Sequence, residues 1–81
     1  MRITVKLFSY LRQIAGTDQV SVDLSEPARI EDLLNVLGDQ FNDSNFKNDQ
    51  MAIMVNHKNV FLDTPLKDGD QVLLLPIMDG G

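Results

Sequence analysis

Gly80 and Gly81 close the sequence and have the clearest capacity for chemistry. Two glycines before a carboxylate form a thin thread, because no Cβ obstructs the backbone and the tail can enter a channel that excludes bulkier residues. The expected chemistry is activation of the Gly81 carboxylate by a nucleotide, followed by loading with sulfur or transfer to an amine. At a glycine frequency of about 7%, two terminal glycines arise by chance in roughly 0.5% of chains. The pair therefore acquires meaning only from a body built to present it.

Little else in the chain competes for a chemical role. It has no cysteine, which removes disulfides, thiolate metal sites and a cysteine nucleophile together. If this protein handles sulfur, the sulfur sits on something other than a side-chain thiol. His57 is the single histidine and lies in a polar stretch beside Lys58, with no acidic or histidine neighbour at ligand spacing. It reads as a solvated turn residue. Asp68 and Asp70 flank Gly69 as in a calcium loop, but the remaining ligand positions and the distal Glu are missing, so a turn is expected. No cofactor or metal is expected on this chain.

With 81 residues, the chain forms one small domain. Net stability at this size is about 4–12 kcal/mol. The net charge of −5 argues against nucleic acid, which needs a basic face, and against an anionic membrane surface. Arg2 and Lys6 interrupt any apolar core of a signal peptide, and no apolar run reaches membrane-spanning length. A cytoplasmic protein with a protein partner is the expectation.

Periodicity gives the elements that must position the tail. Ile3, Val5 and Leu7 alternate with Thr4 and Lys6, which is strand period. Tyr10 to Ala15 fits a short helical turn, with Gly16 as its C-cap. Val20, Val22 and Leu24 mark a second strand. Ile30, Leu33, Leu34, Leu37 and Phe41 then define the main helix, with Glu31 and Asp32 at its dipole-positive start. Gly38 is expected to end or loosen its last turn. Asn42 to Gln50 reads as a loop pinned by Phe46. Met51 to Val55 is a third strand, Asn56 to Asn59 a turn, and Val60 to Leu62 a short fourth strand. Thr64 to Asp70 reads as two turns around Leu66. Gln71 to Leu75 is the last strand, closed by Pro76. This order predicts an α+β domain over 1–76, with the helix on one face of a mixed sheet, the first and last strands at its centre, and a tail over 77–81.

One feature breaks the expected pattern. With Val72 and Leu74 inward, Leu73 and Leu75 point outward on the face opposite the helix. Phe8 and Met54 share that outward parity. Two readings stand: the short helix covers these residues, or Phe8, Met54, Leu73 and Leu75 form an exposed patch for a partner near the tail.

The segment Leu7-Phe8-Ser9-Tyr10-Leu11-Arg12-Gln13-Ile14-Ala15-Gly16-Thr17-Asp18 resembles the MoaD family, the small sulfur-carrying subunit of molybdopterin synthase. So do Val55-Asn56, Pro65 to Asp70, Pro76 and Gly80-Gly81. The resemblance covers essentially the whole chain. The Lys67-Asp68-Gly69-Asp70 turn is shared by many ubiquitin-like folds; the opening with Phe8, Arg12 and Gly16 is more discriminating. The related thiamine-pathway carrier, ThiS, is typically shorter and lacks the short first helix.

The resemblance implies a β-grasp (ubiquitin-like) fold. It also implies that an E1-like adenylating enzyme uses ATP to activate Gly81, that a sulfur donor protein converts it to a thiocarboxylate, and that the large synthase subunit, in a heterotetramer, takes the tail and passes sulfur to a pterin precursor. Phe8, Arg12, Met54, Leu73, Leu75, Pro76, Ile77, Met78 and Asp79 are then the expected partner interface, with Gly80 threading the channel. Two departures are visible. The family tail commonly reads Pro-Pro-Val-(small)-Gly-Gly, against Pro76-Ile77-Met78-Asp79-Gly80-Gly81 here. Asn59 also stands where relatives often carry an apolar contact residue. Competing functions are a protein modifier joined through Gly81 to lysines, a β-grasp interaction module with an idle tail, and sulfur carriage for thiamine or another cofactor pathway.

Overall fold

Alternation makes the first strand: Ile3, Val5 and Leu7 are buried, whereas Arg2 and Lys6 are exposed, over β1 at Arg2–Leu7. A computed structural model describes residues 1–47 and 51–77. After β1 come α1 (Tyr10–Ala15), β2 (Gln19–Asp23), α2 (Ile30–Phe41), a 3-10 turn (Ser44–Lys47), β3 (Met51–Val55), β4 (Lys58–Asn59) and β5 (Gln71–Pro76). The strands form one sheet in the order β2-β1-β5-β3-β4. The β1–β5 pair is parallel and central, while β1–β2, β3–β5 and β3–β4 are antiparallel. This is the mixed sheet expected from the order of elements.

The apolar stripe of α2 closes the core. Ile30, Leu33, Leu34 and Leu37 are buried with Ile3, Val5, Leu7, Val72 and Leu74. Burying the four aliphatics contributes roughly 6–12 kcal/mol before entropy is counted. The helix start is held from outside: the Ile30 N–H donates to the Thr64 carbonyl at 3.0 Å and the Glu31 N–H to the Leu62 carbonyl at 2.9 Å. Asp32 reaches back to accept from the Arg29 N–H at 2.8 Å. These bonds satisfy donors that a helix N-terminus leaves without intrahelical partners.

Four local expectations are corrected. Gly38 does not end α2; it is buried inside the helix, which stops at Asn42 in the left-handed conformation, where the Asn42 N–H donates to the Gly38 carbonyl. The polar stretch after α2 is not wholly irregular, since it contains the 3-10 turn that buries Phe46 and stacks it on Phe41 at 5.3 Å. The fourth strand is Lys58–Asn59, not Val60–Leu62. Asn56 and His57 both have positive φ, giving a two-residue turn, so pairing with β3 resumes at once. The chain then leaves the sheet to cap α2. Finally, Pro76 does not stand after β5; it is the strand's last residue, opposite Met51.

Gly38 yields a stability prediction. A Cβ there would meet the Lys47 Cε at 2.8 Å, the far end of a flexible side chain, and the Asp43 carbonyl at 3.6 Å. Lys47 can swing aside, losing an exposed ion pair with Asp39 (3.7 Å) of little worth. Alanine gains about 1 kcal/mol of helix propensity over glycine. Gly38→Ala is expected to raise the thermal midpoint by about 4–8 °C, read by circular dichroism. A lower midpoint would show that the Lys47 stem cannot move.

Candidate functional site

The face of the sheet turned away from α2 is the candidate site. Register and side-chain alternation together set its residues in rows. Gln19, Lys6, Leu73, Met54 and Asn59 lie side by side across β2, β1, β5, β3 and β4. Leu75 lies opposite Ala52 in the next outward row, toward the end of β5. Phe8 follows Lys6 by two positions and carries the same parity. Phe8, Ala52, Met54, Leu73 and Leu75 are all partly exposed. Ala52, Met54, Leu73 and Leu75 thus share one face as half-buried neighbours, not as fully exposed side chains.

The short helix does not remove this surface from solvent. Leu11 of α1 is fully buried in the same cluster as Leu33, Leu37 and Phe46. Tyr10, Ile14 and Ala15 also pack against that cluster. α1 thus points its apolar side at the core. It ends at Gly16, whose φ of 75° suits a residue without Cβ and whose N–H donates to the Arg12 carbonyl at 2.9 Å. Arg12 is exposed and lines a shallow depression with Lys6, Phe8, Asp18 and Gln19.

The start of β5 is locked by a polar clamp. The Asn56 side-chain amide donates to Asp70 at 3.0 Å, and its oxygen accepts from the Gln71 N–H at 3.1 Å. Asp70 also accepts from the Lys67 N–H at 2.8 Å, which satisfies a buried carboxylate. Asp68 accepts from the Arg2 N–H at 2.8 Å. Both carboxylates of the acidic turn are engaged with the protein, consistent with a turn. His57 is exposed at the tip of the β3–β4 hairpin.

β5 carries the chain from this clamp, past Leu73 and Leu75, to Pro76 and Ile77. Ile77 is 58% exposed and stands next to the patch-bearing strand. Met78, Asp79, Gly80 and Gly81 lie outside the described residues. Sequence reasoning placed Lys6 on the outward parity of the first strand but missed Ala52, and it noticed Asn59 only as a departure from a family pattern. The alternation of β3 already contained the signal for Ala52.

A helix-backed mixed sheet with a parallel central pair and a terminal segment leaving its last strand defines a ubiquitin-like β-grasp protein. Comparison with known proteins places it further. The ThiS family model matches residues 5–81, and the chain belongs to that family. It is 31% identical over 83 residues to the molybdopterin synthase sulfur carrier subunit of Chlamydomonas reinhardtii, covering 100% of both chains. It resembles the small archaeal modifier protein SAMP1 of Haloferax volcanii, with TM-score 0.86, 25% identity and 100% of both chains covered. It also resembles a chain in the complex of subunits 1 and 2 of the molybdopterin-converting factor of Helicobacter pylori, with TM-score 0.65, 26% identity and 100% coverage of both. Among the described residues no helix is long and apolar enough to cross a membrane.

Proposed function

We propose that this chain is the sulfur carrier of a molybdopterin synthase and that Gly81 bears the sulfur. The observation that carries the reading is the apolar sheet face whose central strand, β5, leads directly into the tail. It is supported by the 31% identity to a sulfur carrier subunit over the whole chain. An E1-like adenylating enzyme docks on this face and receives the tail. The Gly81 carboxylate attacks the α-phosphorus of ATP, pyrophosphate leaves, and the mixed anhydride makes the carboxyl carbon a good electrophile. The terminal sulfur of a donor protein's persulfide attacks that carbon and AMP leaves. A second thiol then cleaves the sulfur–sulfur bond, which leaves a thiocarboxylate on Gly81 and a disulfide on the donor side. This chain has no cysteine, so both thiols belong to partners. The large synthase subunit finally takes the tail into its own site, where the sulfur passes to a pterin precursor.

Each partner uses the same face in turn, and the chain supplies the carried group while partners supply acid–base chemistry. Pro76 and the tail over 77–81 act as the thread between domain and active site, with proline restricting the backbone at its start. ATP serves the activating enzyme and is not held by this chain. The likeness to SAMP1 favours a second reading, in which Gly81 is joined to a lysine amine of another protein.

Intact-mass measurement after incubation with the activating enzyme, ATP and a persulfide donor separates these readings. The expected result is a mass gain equal to exchange of one oxygen for sulfur. An unchanged mass, with Gly81 recovered in isopeptide linkage from cells, sinks the carrier reading in favour of the modifier.

A further inference from the structure

Successive residues of a strand turn their N–H and C=O groups to opposite neighbours. Two hydrogen bonds fix that alternation along β5. The Thr4 N–H of β1 donates to the Asp70 carbonyl at 3.1 Å, and the Asn56 N–H, just past β3, donates to the Gln71 carbonyl at 3.0 Å. Even-numbered residues of β5 therefore address β1, and odd-numbered ones address β3. Pro76 is the last residue of β5, and the N–H it lacks is one that would point at β1.

The register fixes where that donor would go. Parallel pairing of β1 with β5 runs from Thr4–Gln71 to Leu7–Leu74 and stops there. The next pair would be Phe8 with Leu75, closed by a bond from the N–H of residue 76 to the Phe8 carbonyl. Proline removes that bond. The Phe8 carbonyl is not left idle, since it accepts from the Leu11 N–H at 3.2 Å where α1 begins. Ser9, with a φ of 58°, then turns the chain out of the sheet. On the other side Pro76 forfeits nothing: its backbone does not address β3, and Met51 still lies opposite it. Proline is otherwise kept out of central strands, and β5 lies between β1 and β3. Its placement here deletes one donor, on one side, at the last residue before the tail.

We infer that Pro76 is a positioning residue. By withholding an N–H from the Phe8 carbonyl, it ends the β1 ladder where the tail begins and lets the tail leave the plane of the sheet for a partner's site. The inference rests on the tail's proposed role as bearer of the sulfur, and it adds what lets the domain release that tail. A donor at position 76 would hold the start of the tail to β1. One backbone hydrogen bond shifts such an equilibrium by about two- to tenfold, and the released form is depleted by that factor.

The test compares the full chain with Pro76→Val, which suits a strand and restores the donor. Amide exchange at residue 76 reports the new bond. Sulfur loading by the activating enzyme, ATP and a persulfide donor, at low carrier concentration, reports the release. Exchange is expected to slow at least twofold against an unstructured peptide, and kcat/KM for loading to fall about fivefold. An unprotected amide overturns the inference, and so does a protected amide with loading at the parent rate. A third chain carries N-methylvaline at position 76, introduced by cell-free translation; it lacks the N–H but has no ring. Loading within twofold of the parent supports the inference. Loading as slow as that of Pro76→Val shows that ring stiffness sets the rate, and it overturns the inference while leaving the carrier reading intact. A parent chain that never gains sulfur overturns the carrier reading and this inference with it.

Discussion

Removing Gly81 is expected to lower sulfur loading by at least about 10³-fold and to leave the fold unaltered. One residue of extended chain spans about 3.5 Å. The shortened tail therefore holds its carboxylate that far from the adenylating site, or else drags the docked domain out of register. A misplacement of about 1 Å already costs on the order of 10²-fold in a positioned reaction. The domain does not feel the change, because its core is built from Ile3 through Leu74, all before the tail. The experiment follows thiocarboxylate formation by intact mass over time, alongside thermal melts of both chains. Loading of the shortened chain at the parent rate would remove Gly81 from its proposed role. A single alanine added after Gly81 is expected to fail equally, since it moves the reactive carbon the other way and adds a Cβ at the tip.

Leu75→Asp has the second largest expected effect, a loss of about 10²-fold or more in affinity for either partner. Leu75 and Leu74 are adjacent and chemically identical, yet they face opposite sides of β5. Leu74 is 0% exposed in the core, whereas Leu75 is partly exposed on the opposite sheet face, beside Ala52. A carboxylate at position 75 stays hydrated in the free chain, so the midpoint falls by a few degrees at most. It must be desolvated against apolar surface on docking, which costs several kcal/mol unless a partner cation meets it. The same substitution at Leu74 buries the charge in the folded domain, against a total stability of about 4–12 kcal/mol, and unfolds it. Parallel melting and titration of Leu74→Asp and Leu75→Asp test both statements. Unfolding by Leu75→Asp would show that its face was assigned wrongly.

Most of the architecture was legible in the residues. The period of two in Ile3–Leu7 and the period near 3.6 in Ile30–Phe41 set which side chains are buried, and the structure buries Ile3, Val5, Leu7, Ile30, Leu33, Leu34 and Leu37. The β4 position was not legible. It depends on Asn56 and His57 both taking positive φ, and histidine is not a residue type that announces this. The end of α2 was misread for a related reason: Gly38 looks like a terminator, but its missing side chain makes room for the Lys47 stem.

The sequence by itself determined the Gly80-Gly81 pair, the absence of thiols in these 81 residues and the outward parity of Phe8, Met54, Leu73 and Leu75. These follow from composition and from local alternation, which need no knowledge of distant contacts. Only the tertiary structure decided that Lys6, Leu73, Met54 and Asn59 form one row, and that α1 turns its apolar side inward to leave that row open. Pairing register joins residues far apart in the chain, and it is set by the closure of the shared core under α2. That closure places the proposed docking face on the strand that leads to the tail.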